Sequence, residues 1–120
     1  MAAEFVEKTN VSCLAVLIGN AHGHYKKTPK LDIDRVKAIR EATGGIPLVL
    51  HGGSGLSDDD FRNTIANGIR KVNICTEMCI AARESYQRSA NHEILFNDAK
   101  EAVKNVVKTK MKLFGSSGKA

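Results

Sequence analysis

Two histidines stand where apolar runs of this sequence end. His51 directly follows IPLVL at residues 46–50, and His22 comes shortly after CLAVLIG at residues 13–19. Neutral imidazole is the commonest zinc ligand, and a catalytic zinc typically takes three protein ligands plus water or substrate. The spacing therefore indicates a metal site that is one ligand short. It fits equally two imidazoles that cap their strands or bond to backbone carbonyls, and both interpretations stay open at this point.

A glycine-rich stretch, HGGSG at residues 51–55, separates the second apolar run from a helix that begins near Ser57. Backbone N–H groups approach an anion closely only where side chains are small, and a helix N-terminus adds a favourable dipole. Asp58, Asp59 and Asp60 oppose an anion at the helix start itself. The stretch thus predicts either a phosphate cradle formed by the loop, with Ser54 as hydroxyl donor, or a plain tight turn.

Further polar groups and thiols lie near the ends of predicted strands. NICT at residues 73–76 ends a third apolar run, and Lys26 follows the first histidine, where it either screens a phosphate or is an ordinary surface lysine. Cys75 and Cys79 have the i, i+4 spacing of a metal-binding pair, but their apolar neighbours favour burial in the core. With Cys13 they make an odd number of cysteines, which is typical of reduced thiols in a cytoplasmic protein.

The apolar runs alternate with segments of helical periodicity. Strands are predicted near residues 13–19, 46–51 and 71–76, with helices between and after them. The first two runs lack polar alternation, which is typical of parallel strands buried on both faces. Neighbouring parallel strands lie about 4.8 Å apart, so the two histidines could meet at one metal ion. Three strands leave two apolar edges, and a (β/α)8 barrel takes roughly 250 residues. The expected fold is therefore α/β, a partial TIM barrel of about three βα units plus C-terminal helices.

Composition narrows the possible partners. The chain has 120 residues, 42% hydrophobic and 26% charged, with a net charge of +5. It has no apolar run of membrane-spanning length, and its first residues do not resemble a signal peptide. The late lysines are interleaved with one aromatic only, Phe114, which argues against nucleic acid. We expect one domain over residues 1–120 with a loose tail at 115–120, a cytoplasmic location, and neither nucleic-acid nor membrane binding.

Several of these motifs occur together in one known family. AHGHYK, PKLDIDRVKAIREATGGIPLVLHGGSG, KVNICTE and the ending AVKNVVKTKMKLFGSSGKA resemble the C-terminal part of class II, zinc-dependent fructose-bisphosphate and tagatose-bisphosphate aldolases. The resemblance implies a (β/α)8 barrel, Zn²⁺ as cofactor, and reversible cleavage of a ketose bisphosphate to dihydroxyacetone phosphate and glyceraldehyde 3-phosphate.

The resemblance also implies roles for individual residues. His22 and His51 match two of three zinc ligands, and Asn73 is expected to reach the substrate near the metal. Cys75 departs from the alanine or asparagine that is common at its position. The positions that match phosphate-binding residues are Gly23, Gly52, Gly53, Ser54, Asn73, Ile74, Cys75 and Thr76, with Lys26 as a further candidate.

One part of the family's site has no match in these 120 residues. The third zinc histidine and the aspartate that acts as general acid/base belong to the family's N-terminal half, and no Asp-His pair occurs here. We therefore expect a fragment that assembles with itself or with an N-terminal half-barrel and has little activity alone. The alternative is a noncatalytic phosphate-binding or assembly module. Fructose and tagatose substrates are not distinguished by the sequence.

Overall fold

The computed structural model describes residues 1–21, 23, 29–88 and 92–119, without the side chains of residues 92–95. The chain divides into two compact units, Met1–Asn73 and Ile74–Ala120. The first unit contains α1 (Ala2–Thr9), β1 (Leu14–Ala15), α2 (Ile33–Ala42), β2 (Leu48–Leu50), α3 (Asp58–Ala66) and β3 (Ile69–Val72), and the second contains α4 (Thr76–Arg88) and α5 (His92–Leu113).

The three strands form one parallel sheet in the order β1-β2-β3. Leu14 pairs with Leu48, and Leu48 in turn pairs with Ile69. Parallel neighbours must be joined by crossover connections, and here α2 and α3 make them. The predicted α/β alternation around a parallel sheet is confirmed. Because carboxyl ends of parallel strands lie at the same edge, the residues after β1, β2 and β3 share one end of the sheet.

The helices of the first unit begin at capping side chains. The Asp32 carboxylate accepts from the Arg35 N–H at 2.9 Å at the start of α2. At the start of α3, the Ser57 hydroxyl accepts from the Asp60 N–H, and the Asp60 carboxylate accepts from the Ser57 N–H. This capping box satisfies amide groups that have no partner inside the helix. The predicted helix start near Ser57 is confirmed, and Ser57 is the N-cap.

Burial differs between the first and second strands. All three residues of β2 are buried, as the sequence predicts. The prediction that the first strand is buried on both faces is wrong, since Cys13, Ala15 and Leu17 are exposed while Ile18 is fully buried. The physical reason is position: the exposed residues alternate along the chain and so share one face of β1, and among the described residues nothing covers that face.

Several boundaries differ from the predicted ones. Each strand is shorter than expected, and β3 begins at Ile69 rather than near 71, so residues 73–76 lie beyond it. In the sequence, Phe61, Ile65 and Ile69 are spaced by four residues, which is typical of one buried stripe of a helix; Ile69 is buried but belongs to β3, because the chain turns at Gly68. The pattern of residues 97–114 is typical of a helix with Val107 on its apolar face, whereas the final helix begins at His92 and Val107 is exposed.

In the second unit α4 packs against α5. Ala99 of α5 and Ser85 of α4 are buried in this unit. Lys110 and Glu77 form an ion pair with a 3.0 Å contact, and the rings of Tyr86 and Phe96 meet edge to face. After α5 the predicted loose tail continues as exposed turns through residue 119. Within the described residues, no helix combines the length and apolar character needed to cross a membrane.

Candidate functional site

His51 lies at the carboxyl end of β2, where its position is fixed through the backbone. Its carbonyl accepts a hydrogen bond from the side-chain amide of Asn20, which follows β1. The side-chain oxygen Oδ1 of Asn20 accepts a hydrogen bond from the Ile18 N–H at 3.2 Å, and Asn20 is only 5% exposed. A buried side-chain amide that is hydrogen-bonded through both its oxygen and its nitrogen resists displacement, because breaking either hydrogen bond leaves a buried polar group unpaired. Asn20 therefore ties the ends of two neighbouring strands together at His51.

Asn73 lies at the end of β3 and contacts the imidazole of His51. Its amide nitrogen is 3.3 Å from Nδ1 and 3.1 Å from Nε2 of His51. The Lys71 ammonium donates to the other end of this amide, the oxygen Oδ1. An ammonium group can only donate, so the Asn73 oxygen faces Lys71 and its N–H groups face the imidazole. Lys71, Asn73 and His51 thus form one polar row across the ends of β3 and β2.

The glycine loop is joined to the same row by backbone hydrogen bonds. The Asn73 N–H donates to the Leu50 carbonyl at 2.9 Å, and the Gly53 N–H donates to the Asn73 carbonyl at 3.4 Å. Gly52, Gly53 and Ser54 are buried. The Gly53 N–H is therefore turned toward a protein carbonyl in this structure. Because that bond is long, an incoming anion competes with a weak interaction rather than a strong one.

An open cleft of about 350 Å³ adjoins His51. Besides His51, it is lined by Ala15, Val16, Leu17, Asn20 and Ala21. Most of this lining is apolar, so among the described residues the imidazole and the Asn20 amide are the polar groups at its wall. Such a combination is typical of ligand sites, where a few polar groups set orientation and apolar walls exclude water.

The predicted residues that follow Asn73 belong to the second unit. Ile74 is half-buried, Cys75 immediately precedes α4, and Thr76 is its first residue. The predicted core burial of Cys75 and Cys79 is wrong, because both are exposed. Each lies on the side of the first turn of α4 that no described residue of this unit covers. Their sulfur atoms are 3.9 Å apart.

The described residues include one of the two predicted zinc ligands, His51. A half-buried imidazole at a strand end suits zinc, which binds neutral histidine nitrogen. One ring nitrogen must give up the Asn73 amide as partner when it binds a cation. Among the described residues there is no group of three His, Cys, Asp or Glu side chains that could hold a metal ion. The other predicted ligand, His22, and the candidate Lys26 lie outside the described residues. Of the two predicted zinc ligands, only His51 can therefore be compared with the structure.

The structure thus brings some predicted residues together and leaves others apart. His51, Asn73 and the loop of Gly52, Gly53 and Ser54 converge, whereas Gly23 is described only as a residue with positive φ after β1. Two polar residues of the site were missed as site residues in the sequence. Lys71 could have been found from the sequence, because it stands two residues before Asn73 and alternate residues of a strand share a face. Asn20 is a polar residue after the first predicted strand, but no sequence pattern predicts its hydrogen-bond partners.

Comparison with known proteins identifies the family of this chain. The profile of a family described as class II fructose-bisphosphate aldolase matches residues 1–119. The chain belongs to this family of zinc-dependent class II aldolases. The resemblance seen in the motifs is confirmed, and so is the fold, a set of three parallel βα units that matches part of a class II aldolase barrel.

Particular relatives are known in sequence and in structure. The chain is 47% identical over 121 residues to the uncharacterized protein YdjI of Escherichia coli K12, covering 99% of this chain and 43% of that protein. The crystal structure of the YdjI aldolase matches with a TM-score of 0.87 at 45% identity, over 99% of this chain and 44% of that one.

A putative fructose-1,6-bisphosphate aldolase from Coccidioides immitis matches with a TM-score of 0.90 at 29% identity, over 98% of this chain and 42% of that one. The chain therefore spans less than half the length of the relatives it matches.

Proposed function

We propose that this chain forms the sugar-phosphate-binding part of a class II ketose-bisphosphate aldolase. The reaction is reversible cleavage of fructose or tagatose 1,6-bisphosphate to dihydroxyacetone phosphate and glyceraldehyde 3-phosphate. The observation that carries the proposal is the contact between His51 and Asn73 at neighbouring strand ends, with the glycine loop bonded to the same end of β3. A metal ligand, an amide and a phosphate loop at one edge are what binding a phosphorylated ketone requires.

In this proposal each group has a binding or orienting role. His51 is a zinc ligand together with His22, and the chemistry that zinc supplies in such a site is Lewis-acid polarisation of a substrate oxygen. Gly52, Gly53 and Ser54 hold one phosphate through N–H groups and a hydroxyl. Asn73 directs an N–H toward a substrate oxygen near His51, and Lys71 keeps the amide in that orientation.

Proton transfer is the step for which these 120 residues offer no matching group. A positioned general acid or base contributes roughly 10²–10⁴-fold to a rate. Since no Asp-His pair is present in the sequence, we propose that the chain alone binds triose phosphate but cleaves ketose bisphosphate slowly. Adding the N-terminal part of a full-length relative should restore turnover. If the added part leaves turnover unchanged, the proposed aldolase function is contradicted.

Phosphate binding is tested with Ser54→Ala. A hydrogen bond to a charged group is worth about 1.5–3 kcal/mol, so affinity for dihydroxyacetone phosphate should fall roughly 10- to 100-fold. Isothermal titration calorimetry of wild type and variant measures this. The matched control is Ser116→Ala, an exposed serine beyond α5, which should leave affinity unchanged. Equal affinities in wild type and Ser54→Ala would remove the serine from the proposed site.

Zinc binding is tested with His51→Ala. If His51 is a ligand, the zinc affinity of the chain should fall by at least about 10-fold, the smallest loss seen when even a supporting residue is removed. His92→Ala is the control, because His92 is the first residue of α5 and has no proposed role. Phosphate binding without any His51-dependent zinc binding would favour the noncatalytic phosphate-binding module.

A further inference from the structure

Cys75 and Cys79 form an exposed pair of thiols at the start of α4. Their sulfur atoms are 3.9 Å apart and in hydrogen-bond contact, and both residues are exposed. The Cys79 N–H donates to the Cys75 carbonyl at 3.1 Å, so the two residues close one helical turn and project from the same side of it. No proposed step of the aldolase reaction uses the two sulfur atoms.

The spacing argues against a disulfide. The sulfur atoms are 3.9 Å apart, whereas a disulfide bond is about 2.05 Å long. Closing the bond would therefore require the two sulfur atoms to approach each other by roughly 2 Å. A shared metal ion requires no such movement, because two sulfur atoms bound at about 2.3 Å in a tetrahedral arrangement lie ~3.8 Å apart. The observed separation of 3.9 Å between the sulfur atoms is close to this distance.

The electrostatics of the pair opposes ionisation of both thiols when no cation is bound. The hydrogen bond with Cys75, and repulsion from a charged Cys75, raise the pKa of the Cys79 thiol above its ordinary value. The second proton of the pair is therefore the harder one to remove. A cation between the sulfur atoms reverses this balance, because it neutralises the charge that opposes the second ionisation.

We propose that Cys75 and Cys79 chelate a soft divalent d¹⁰ metal ion, such as cadmium or zinc, at a site distinct from the histidine ligands. Binding replaces two S–H bonds by two metal–sulfur bonds and releases two protons. Thiolates prefer soft ions. Two protein ligands leave positions for water, so the ion exchanges readily. The site does not depend on the proposed aldolase function, since neither thiol is assigned to zinc there.

Cadmium titration of the fully reduced chain is the test, because cadmium–thiolate bonds absorb in the ultraviolet and cadmium–imidazole bonds do not. We expect a thiolate absorption that saturates at one ion per chain, with release of protons. Cys75→Ser and Cys79→Ser should each weaken this binding by at least about 100-fold, beyond the 10- to 100-fold of an outer-shell loss. Serine is a good N-cap residue, so Cys75→Ser preserves the start of α4; circular dichroism checks the helix content of both variants.

The matched control is Cys13→Ser, which removes the third exposed cysteine and should leave cadmium binding unchanged. The proposal is overturned if the thiolate absorption survives in either Cys75→Ser or Cys79→Ser, or if Cys13→Ser abolishes it. It is equally overturned if the reduced wild-type chain shows no thiolate absorption and instead closes an intramolecular disulfide with oxidised glutathione. The His51→Ala variant should keep the absorption, which separates failure here from failure of the zinc assignment.

Discussion

At the scale of single residues, amide side chains organise the site. Asn20 bonds to the backbone of His51, and Asn73 contacts its ring while accepting a hydrogen bond from Lys71. An amide can donate at one end and accept at the other, so each of these residues bridges a donor and a second group that lie too far apart in the chain to be joined by local structure. Lys71 and Asn20 thereby determine how His51 and Asn73 are presented to a ligand.

Asn20→Ala should destabilise the chain by about 1–3 kcal/mol. It leaves the buried Ile18 N–H and the His51 carbonyl without their side-chain partner, and an unsatisfied buried group costs that much. Urea denaturation followed by circular dichroism gives the free energy of unfolding. Asn67→Ala is the control, because Asn67 also donates to a backbone carbonyl but does so in an exposed pair. Its effect should stay within about 0.5 kcal/mol, and equal losses in the two variants would deny Asn20 its special role.

At the scale of elements, the connection between β1 and α2 sets where the site residues lie. The Asp32 N–H donates to the Ile18 carbonyl at 2.8 Å, so the chain returns beside the end of β1 before α2 begins. Gly19 stands at this crossing with φ near 98°. A Cβ placed on it would lie 2.6 Å from the Lys30 carbonyl oxygen. The glycine is therefore required both by its backbone conformation and by the close approach of two segments.

Gly19→Ala should destabilise the chain more than Gly44→Ala, and the difference isolates the clash. Gly44 also has positive φ, 67°, but a Cβ there meets no atom within 4 Å. Gly44→Ala should cost about 1 kcal/mol for the left-handed conformation. Gly19→Ala should cost a further 1–3 kcal/mol, roughly the penalty for overpacking. Thermal and urea unfolding measure both, and similar values would show that the backbone at Lys30 moves aside freely.

At the scale of the whole molecule, the sheet has uncovered surface within the described residues. Both β1 and β3 pair on one side only there, and Leu17 beside β1 is 71% exposed. An exposed apolar strand edge promotes association with another chain. We therefore propose that the chain assembles with itself or with the N-terminal half of a barrel, as the sequence led us to expect.

Self-association should depend on the β1 surface. Light scattering after size-exclusion chromatography should show a mass that rises with protein concentration, and Leu17→Glu should shift the chain toward monomer. Phe5→Glu, which charges a half-exposed apolar residue of α1, is the comparison and should leave the mass unchanged. A monomeric wild-type chain at all concentrations, or a larger effect of Phe5→Glu, would place the interacting surface elsewhere.

The sequence by itself determined the class of fold and predicted the general location of the candidate site. Apolar runs without alternation predicted parallel strands, and a histidine and glycines after the run at 46–50 predicted a site at the strand ends. These signals are local, because strand patterning, turn chemistry and helix caps act over a few residues. That is why the residue pattern alone identifies Ser57 as a cap and His51 as a strand-end group.

Only the tertiary structure decided which side chains meet and which are covered. Asn20 and its partner His51 are 31 residues apart in the chain, and no local pattern encodes that contact. Burial of β1 and of the two thiols was predicted from apolar neighbours, but exposure depends on what packs against a residue from elsewhere. Cys75 and Cys79 have apolar neighbours in sequence and open space beside them in the described structure, and that difference turned two expected core residues into a candidate metal site.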